Sequence, residues 1–232
     1  MYQFEDIDFT NLTERLCFHQ TKTTSGEAMP RLLHIQSSPN LGQSLTRTLS
    51  EKFVQTWTTH HANVEVEVLD LVVNPLPHFG PEILAAGAVP PGDWTPETRA
   101  AVALSDSLIK QLEAADIIVI GSPMINFTIC TQLKSWFDHV SIVGRTFKYS
   151  APGVAKGLLF GKKVFVIEAR GGDYTDVPVN AFDFQEPLLR ILLGFMGMFD
   201  VSFIRAEGAR QRVDEAADVV RNAEAIIARL AA

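Results

Sequence analysis

The stretch Gly121-Ser122-Pro123-Met124-Ile125-Asn126-Phe127 concentrates much of the chemistry this sequence has to offer. It supplies backbone N–H groups, a side-chain amide at Asn126 and an aromatic ring at Phe127, with no nucleophile–base pair and no metal ligand. An amide both donates and accepts, which suits the polar edge of a heteroaromatic ring. A second stretch, Ser37-Ser38-Pro39-Asn40-Leu41-Gly42-Gln43-Ser44-Leu45-Thr46, joins a strand-like run to a helix-like one. The N–H groups opening a helix have no internal acceptor and favour an anion, and the hydroxyls of Ser38, Ser44 and Thr46 add donors. No Lys is present, so this is not a triphosphate loop; a monoester phosphate held by neutral donors suits it better. A third stretch, Ala169-Arg170-Gly171-Gly172, leaves another strand, and its glycines let backbone approach a ligand closely.

Each stretch also has a plainer reading. Ser44 is then an ordinary helix cap, Pro123 a turn-former, Met124 a gap-filler, and Arg170 either a solvated charge or an ion-pair partner. The remaining chemistry is sparse. The histidines are scattered, and none pairs with carboxylates at zinc-ligand spacing, so no metal is expected. Cys130 falls in a helix's first turn, where a thiol can be activated, but a small buried residue is the better reading. No G-x-S-x-G elbow marks a hydrolase. No side chain stands out as catalytic.

Totals narrow the classes further. A net charge of −7 argues against nucleic-acid or anionic-membrane partners. Two cysteines, Cys17 and Cys130, build no disulfide framework, which points to a reducing cytoplasm. The apolar run Leu188 to Phe199 is too short to cross a bilayer and reads as a core helix or a subunit interface. Residues 1–28 are polar and of mixed charge, unlike a secretory signal. They are expected to be a poorly ordered extension or not native, Met29 being the natural start, with the globular domain at 29–232.

These stretches need strands and helices to position them. Arg31 to Gln36, Val64 to Leu71, Asp116 to Gly121, Lys163 to Glu168 and Val201 to Ala206 read as strands. Val64, Val66 and Val68 alternate with Glu65, Glu67 and Leu69, the pattern of an edge strand with one wetter face. Leu45, Leu49, Phe53 and Trp57 stripe a helix from Ser44 onward. Thr95-Pro96-Glu97 opens another, with Leu104, Leu108 and Leu112 inward. Further helices are predicted over 128–142, 184–197 and 213–230. Between Val72 and Trp94 lies an irregular segment holding five of the 12 prolines, of the kind that forms lids or interfaces.

The alternation implies an α/β fold, a five-stranded parallel sheet with helices on both faces. Right-handed crossovers favour the flavodoxin-like order 2-1-3-4-5, whose ligand crevice lies between the first and third strands. All three chemical stretches leave carboxyl ends of strands beside that crevice.

In this arrangement the sequence resembles the FMN-dependent NADH-azoreductases, or NADH:quinone reductases, a branch of the flavodoxin-like quinone reductases. The resemblance runs from about Met29 to the C-terminus. Its ordered motifs are Ser37-Ser38 with Gln43 to Thr46, Asn74-Pro75-Leu76-Pro77, Ala103 to Asp106, Ser122-Pro123-Met124 with Asn126-Phe127, Thr131 to Trp136, Gly144 to Tyr149, Arg170-Gly171-Gly172, Leu193 to Gly197 and Ala206-Glu207-Gly208.

The resemblance implies bound FMN, its phosphate held by Ser38, Ser44, Leu45 and Thr46. Its ring would lie against Met124, Ile125, Asn126 and Phe127, with Ala169, Arg170, Gly171 and Gly172 closing over the far edge. It implies a cytoplasmic homodimer running a ping-pong cycle in which NADH delivers two electrons that pass to quinones or aromatic azo compounds. Two positions depart from the family pattern: Ile125 stands where Tyr is frequent, and Ala169 where Ser is frequent. Flavin reductases, FAD-using quinone reductases and non-catalytic electron carriers share the same core and stay open at this point.

Overall fold

The computed structural model describes residues 29–175, 178–209, 214 and 216–232. The expected extension at 1–28, and Val213 as the start of the last helix, lie outside the described residues. In chain order the elements are β1 (Arg31–Gln36), α1 (Leu45–His60), β2 (Glu65–Asp70), α2 (Pro81–Ala86), α3 (Pro96–Ala114), β3 (Ile117–Pro123), α4 (Thr131–Val140), β4 (Phe147–Ala151), β5 (Val154–Gly157), β6 (Lys163–Ala169), α5 (Gln185–Phe195), β7 (Asp200–Ala206) and α6 (Ala216–Leu230).

Five strands form one parallel sheet in the order β2-β1-β3-β6-β7. Leaving aside the separate β4–β5 hairpin, this is the expected order 2-1-3-4-5. β3 lies near the middle, and Ile117 to Ile120 are buried on both faces, which is why the run is continuously apolar rather than alternating. Ile118, Ile120, Val164 and Val166 face Leu108, Leu112, Trp136 and Leu189 of α3, α4 and α5. Val119, Phe165 and Ile167 face Leu49, Phe53, Trp57 and Ile227 of α1 and α6. Each such aliphatic side chain taken from water stabilises the fold by about 1.5–3 kcal/mol before entropy is counted.

The edge strand β2 alternates as expected, but its wetter face is the valine one. Leu69 and Leu71 pack into the layer that includes α3, which leaves Val68 61% exposed at the open edge of the sheet. The helix predicted from residue 128 begins at Thr131, because Ile125 and Thr128 bond each other's backbones in a tight turn. The region after α4 forms the β4–β5 hairpin, which periodicity did not reveal. This hairpin is clamped to the end of α5, since Leu158 and Leu159 both donate backbone N–H to Met196 O. A Cβ on Gly157 would come 2.1 Å from Gly197 N, so only glycine permits the approach.

The proline-rich segment is anchored rather than loose. Ser135 Oγ donates to Pro77 O at 2.7 Å, and His139 Nε2 lies 3.0 Å from the same carbonyl. In the tautomer whose Nε2 donates, Nδ1 accepts from Ser105 Oγ, 3.0 Å away. α2 and a short turn at Pro91–Asp93 interrupt the segment.

Candidate functional site

Where β1, β3 and β6 end, their three following segments line one cleft of about 480 Å³, within the range of small-molecule sites. All twelve site residues expected from sequence border it: Ser38, Ser44, Leu45, Thr46, Met124, Ile125, Asn126, Phe127, Ala169, Arg170, Gly171 and Gly172. Tyr174 and Ala209 join them from segments the sequence did not single out.

One end of the cleft is the start of α1. Ser44 caps this helix, its Oγ accepting from Arg47 N. Ser44 Oγ and Thr46 Oγ1 are 3.0 Å apart and buried. The N–H groups of Leu45 and Thr46 have no preceding helical turn to accept them. Gly121 lets this end sit close to the sheet: a Cβ there would crowd Gln36 Oε1 and Ser50 Oγ at 3.2 Å.

Arg47, which sequence reasoning missed, braces the loop. Its Nε and Nη2 donate to Ser38 O at 3.1 and 2.9 Å, while Nη1 meets Asp70 Oδ2 at 2.6 Å. The hydrogen bond from Arg47 holds the Asp70 carboxyl down to about 2. His34 lies behind it, bonded to Ser50 Oγ, and burial followed by the nearby Arg47 charge lowers its pKa to about 4. A neutral, buried His34 is structural. Cys130 is equally occupied, its thiol donating to Ser37 O.

The wall of the cleft is a two-residue turn. Asn126 and Phe127 carry φ of 46° and 73°, and Ile125 and Thr128 close the turn with reciprocal backbone bonds of 2.8 and 3.1 Å. Positive φ at both central residues marks a primed hairpin turn; Asn tolerates it and Phe does not. The strain holds the Asn126 amide and Phe127 ring at the rim. Met124 N donates to Ala169 O, tying this wall to the next.

At the far end Arg170 proves to be the ion-pair partner rather than the solvated charge. Its side chain is 2% exposed and meets Glu168 at 2.9 Å, Asp183 at 2.9 Å and Glu207 at 3.2 Å. With its guanidinium so engaged, what this stretch presents to the cleft is chiefly backbone. Gln185 joins the two walls: Nε2 donates to Ser122 O at 2.8 Å, and Oε1 accepts from Arg170 Nε at 3.1 Å. Glu207 in turn accepts from Tyr174 N at 2.7 Å.

The donor set therefore has hydroxyls and helix N–H groups at one end, a slot between two backbone walls, and an aromatic rim. That is the complementary shape of a phosphate-bearing planar heterocycle such as FMN. Among the described residues there is no group of histidine, cysteine or acidic side chains able to hold a metal ion.

Residues 30–230 match the family described as "Flavodoxin-like fold". An FMN-dependent NADH:quinone oxidoreductase from Chromobacterium violaceum is 45% identical over 201 residues, spanning 87% of this chain and 99% of the relative. One from Hyphomonas neptunium is 45% identical over 203 residues, spanning 88% and 96%. The chain belongs to the flavodoxin-like quinone reductase family. Among solved members, an azoreductase from Bacillus anthracis str. Sterne superposes with a TM-score of 0.81 at 30% identity, covering 88% of this chain and 99% of that one. An FMN-dependent NADH-azoreductase from Bacillus anthracis str. Ames Ancestor, in complex with FMN, gives 0.80 at 25% identity, covering 88% and 98%.

The motifs that carry the sequence resemblance divide into two groups. Some line the cleft. Others support the scaffold: Pro77, Ser105 and Ser135 join the His139 anchor, while Arg145 pairs with Asp106 and Glu113 across α3.

Proposed function

We propose that the chain is an FMN-dependent NADH:quinone oxidoreductase that also cleaves aromatic azo bonds. The observation that carries the reading is the meeting of all three loops on one cleft, with hydroxyls and a helix N-terminus at one end and backbone walls at the other. When bound, FMN supplies two-electron chemistry between NADH and an acceptor that use the same face in turn.

The residues of the chain bind and orient. Ser38, Ser44 and Thr46 offer hydroxyls, and Leu45 and Thr46 their N–H groups, to the phosphate. Met124, Ile125, Asn126 and Phe127 form one wall, with the Asn126 amide available to a ring's polar edge. Ala169 to Gly172 form the other, and fixed N–H dipoles there favour negative charge developing in the slot. The Ile125 and Ala169 departures leave this backbone scheme intact. Among the described residues, no titratable side chain besides the buried Arg170 and the phenol of Tyr174 borders the cleft, and solvent is the proposed source of protons for the product.

Quinones and azo compounds are the proposed acceptors, and a homodimer the proposed assembly. Phe127, Phe182 and Phe184 are exposed around the mouth, with the Phe127 and Phe182 rings in contact, and an apolar rim of this kind suits a subunit interface. The described residues hold no helix long and apolar enough to cross a membrane. The buried free thiol of Cys130 supports cytoplasmic residence.

The test is direct. The purified chain is expected to be yellow, to bleach with anaerobic NADH, and to recover colour on adding menadione or an azo dye. A flavin spectrum left intact by NADH would instead mark an electron carrier. Light scattering is expected to give twice the chain mass.

A further inference from the structure

Beneath the Ala169–Gly172 wall lies the densest charge cluster among the described residues. Arg170 meets Glu168, Asp183 and Glu207, with Glu186 at 4.0 Å. Glu186 also pairs with Arg190 at 2.6 Å and Arg205 at 2.7 Å. From β6 and its exit come Glu168 and Arg170; from α5 and its approach, Asp183, Glu186 and Arg190; from β7 and its exit, Arg205 and Glu207. Fully ionised, these are three guanidiniums against four carboxylates, one negative charge in excess.

The excess has a definite place. Glu168 is the only one of the four carboxylates with no solvent exposure, its side chain being 0% exposed. Its Oε2 accepts from Arg170 Nη2, but its Oε1 is buried with no hydrogen-bond partner among the described residues. An ionised carboxylate oxygen left bare in the interior is expensive, whereas a neutral carboxyl is much less so.

We propose that Glu168 holds a proton at neutral pH, which balances the cluster, and that it is thereby the positioning residue for Arg170 and for the Gly171–Gly172 backbone of the cleft. The second half rests on the FMN reading above. Burial is the largest influence on Glu168 and, with Glu186 and Asp183, outweighs Arg170 and Arg205 to push its pKa up to about 8. Loss of the proton adds one uncompensated negative charge two residues before Arg170. That charge opposes further negative charge in the slot and pulls Arg170 away from Glu207, which also holds Tyr174 N.

The proton is read without cofactor. Infrared spectra of the flavin-free full chain at about pH 7 are expected to show a protonated-carboxyl carbonyl band that disappears as pH rises through about 8, and Glu168→Gln should lack it. No such band in the wild-type chain at neutral pH overturns the proposal, and this measurement needs no variant to fold. The positioning role is read from FMN affinity and from the potential of the bound flavin. Between about pH 7 and about pH 9 the wild-type chain is expected to lose FMN affinity several-fold, with its potential falling more steeply than that of Glu168→Gln. Parallel behaviour of the two proteins overturns the positioning role. A carboxyl band with no flavin binding at any pH would leave the stored proton standing while removing the functional reading and the positioning role together.

Discussion

The two ends of the cleft perform the same task, fixing a loop at the end of a strand, by opposite means. At the α1 end, one arginine bridges one carboxylate and one carbonyl near the surface: Arg47 and Asp70 are 12% and 19% exposed. At the Arg170 end, one fully buried guanidinium is shared among several carboxylates. The first arrangement is balanced by itself and partly screened by water. The second is held together by the low dielectric around it, so its energy depends on every member and on its protonation.

The largest expected effect breaks the second brace. Arg170→Met leaves Glu168, Asp183 and Glu207 without their shared cation and should cost about 3–5 kcal/mol, read from urea unfolding. The matched change, Arg47→Met, removes charge-assisted bonds from a wetter site and should cost about 1–3 kcal/mol. Equal costs would mean that burial does not distinguish the ends.

A second comparison concerns binding. Ser44→Ala with Thr46→Ala removes hydroxyls from the proposed phosphate site and should weaken FMN affinity by about 1–3 kcal/mol, a loss with little dependence on pH between about 6 and 9. Gln185→Leu cuts the tie between Ser122 and Arg170, and its effect should be felt at the ring rather than at the phosphate. Titration with riboflavin, which lacks the phosphate, separates them: the serine–threonine variant should match wild type, and the Gln185 variant should still bind more weakly.

The ends also differ in how stability follows pH. Asp70 is ionised more readily folded, at about 2, than unfolded, at 3.8, so its contribution is present above 3.8 and is lost as pH falls through about 2. His34 resists protonation when folded, at about 4 against 6.5, so stability falls as pH drops from 6.5 to 4. Glu168 runs the other way. Its folded value near 8 exceeds the ordinary 4.5, so its proton favours the fold at low pH and that advantage is lost as pH rises toward 8. Between about pH 4.5 and 6.5 the His34 and Glu168 slopes oppose each other. Thermal unfolding should therefore show a plateau there, a decline towards pH 8 that Glu168→Gln flattens, and an acid decline below about 4 that Asp70→Asn reduces.

Periodicity exposed the scaffold because burial imposes it. The strand Arg31–Gln36 and the caps Ser44 and Thr95 fell where residue type placed them, and strand order brought all three loops to one crevice. The braces were not legible. Arg47 meets Asp70 across 23 positions, Gln185 meets Ser122 across 63, and Glu207 meets Arg170 across 37. Nothing local in those side chains announces a partner so far along the chain. The β4–β5 hairpin was hidden for another reason: it is largely exposed, so no apolar alternation records it. Glu168 closes the strand range read from sequence, and nothing in that pattern marks its carboxyl as wholly buried.

The smallest expected effect lies at the turn between the two ends. Phe127 holds φ near 73°, a conformation costing a bulky residue about 1–2 kcal/mol. Phe127→Gly releases that strain but adds about 0.5–1 kcal/mol of backbone entropy to be lost on folding. The two nearly cancel, and the exposed ring touches Phe182. Unfolding free energy should thus change by less than about 1 kcal/mol while the aromatic rim is lost. If the ring serves acceptors, KM for menadione should rise several-fold and by a larger factor than the Kd for FMN; if it serves the partner subunit, the dimer should weaken instead. A large loss of stability with neither change would show that the strained turn supports the fold rather than the cleft.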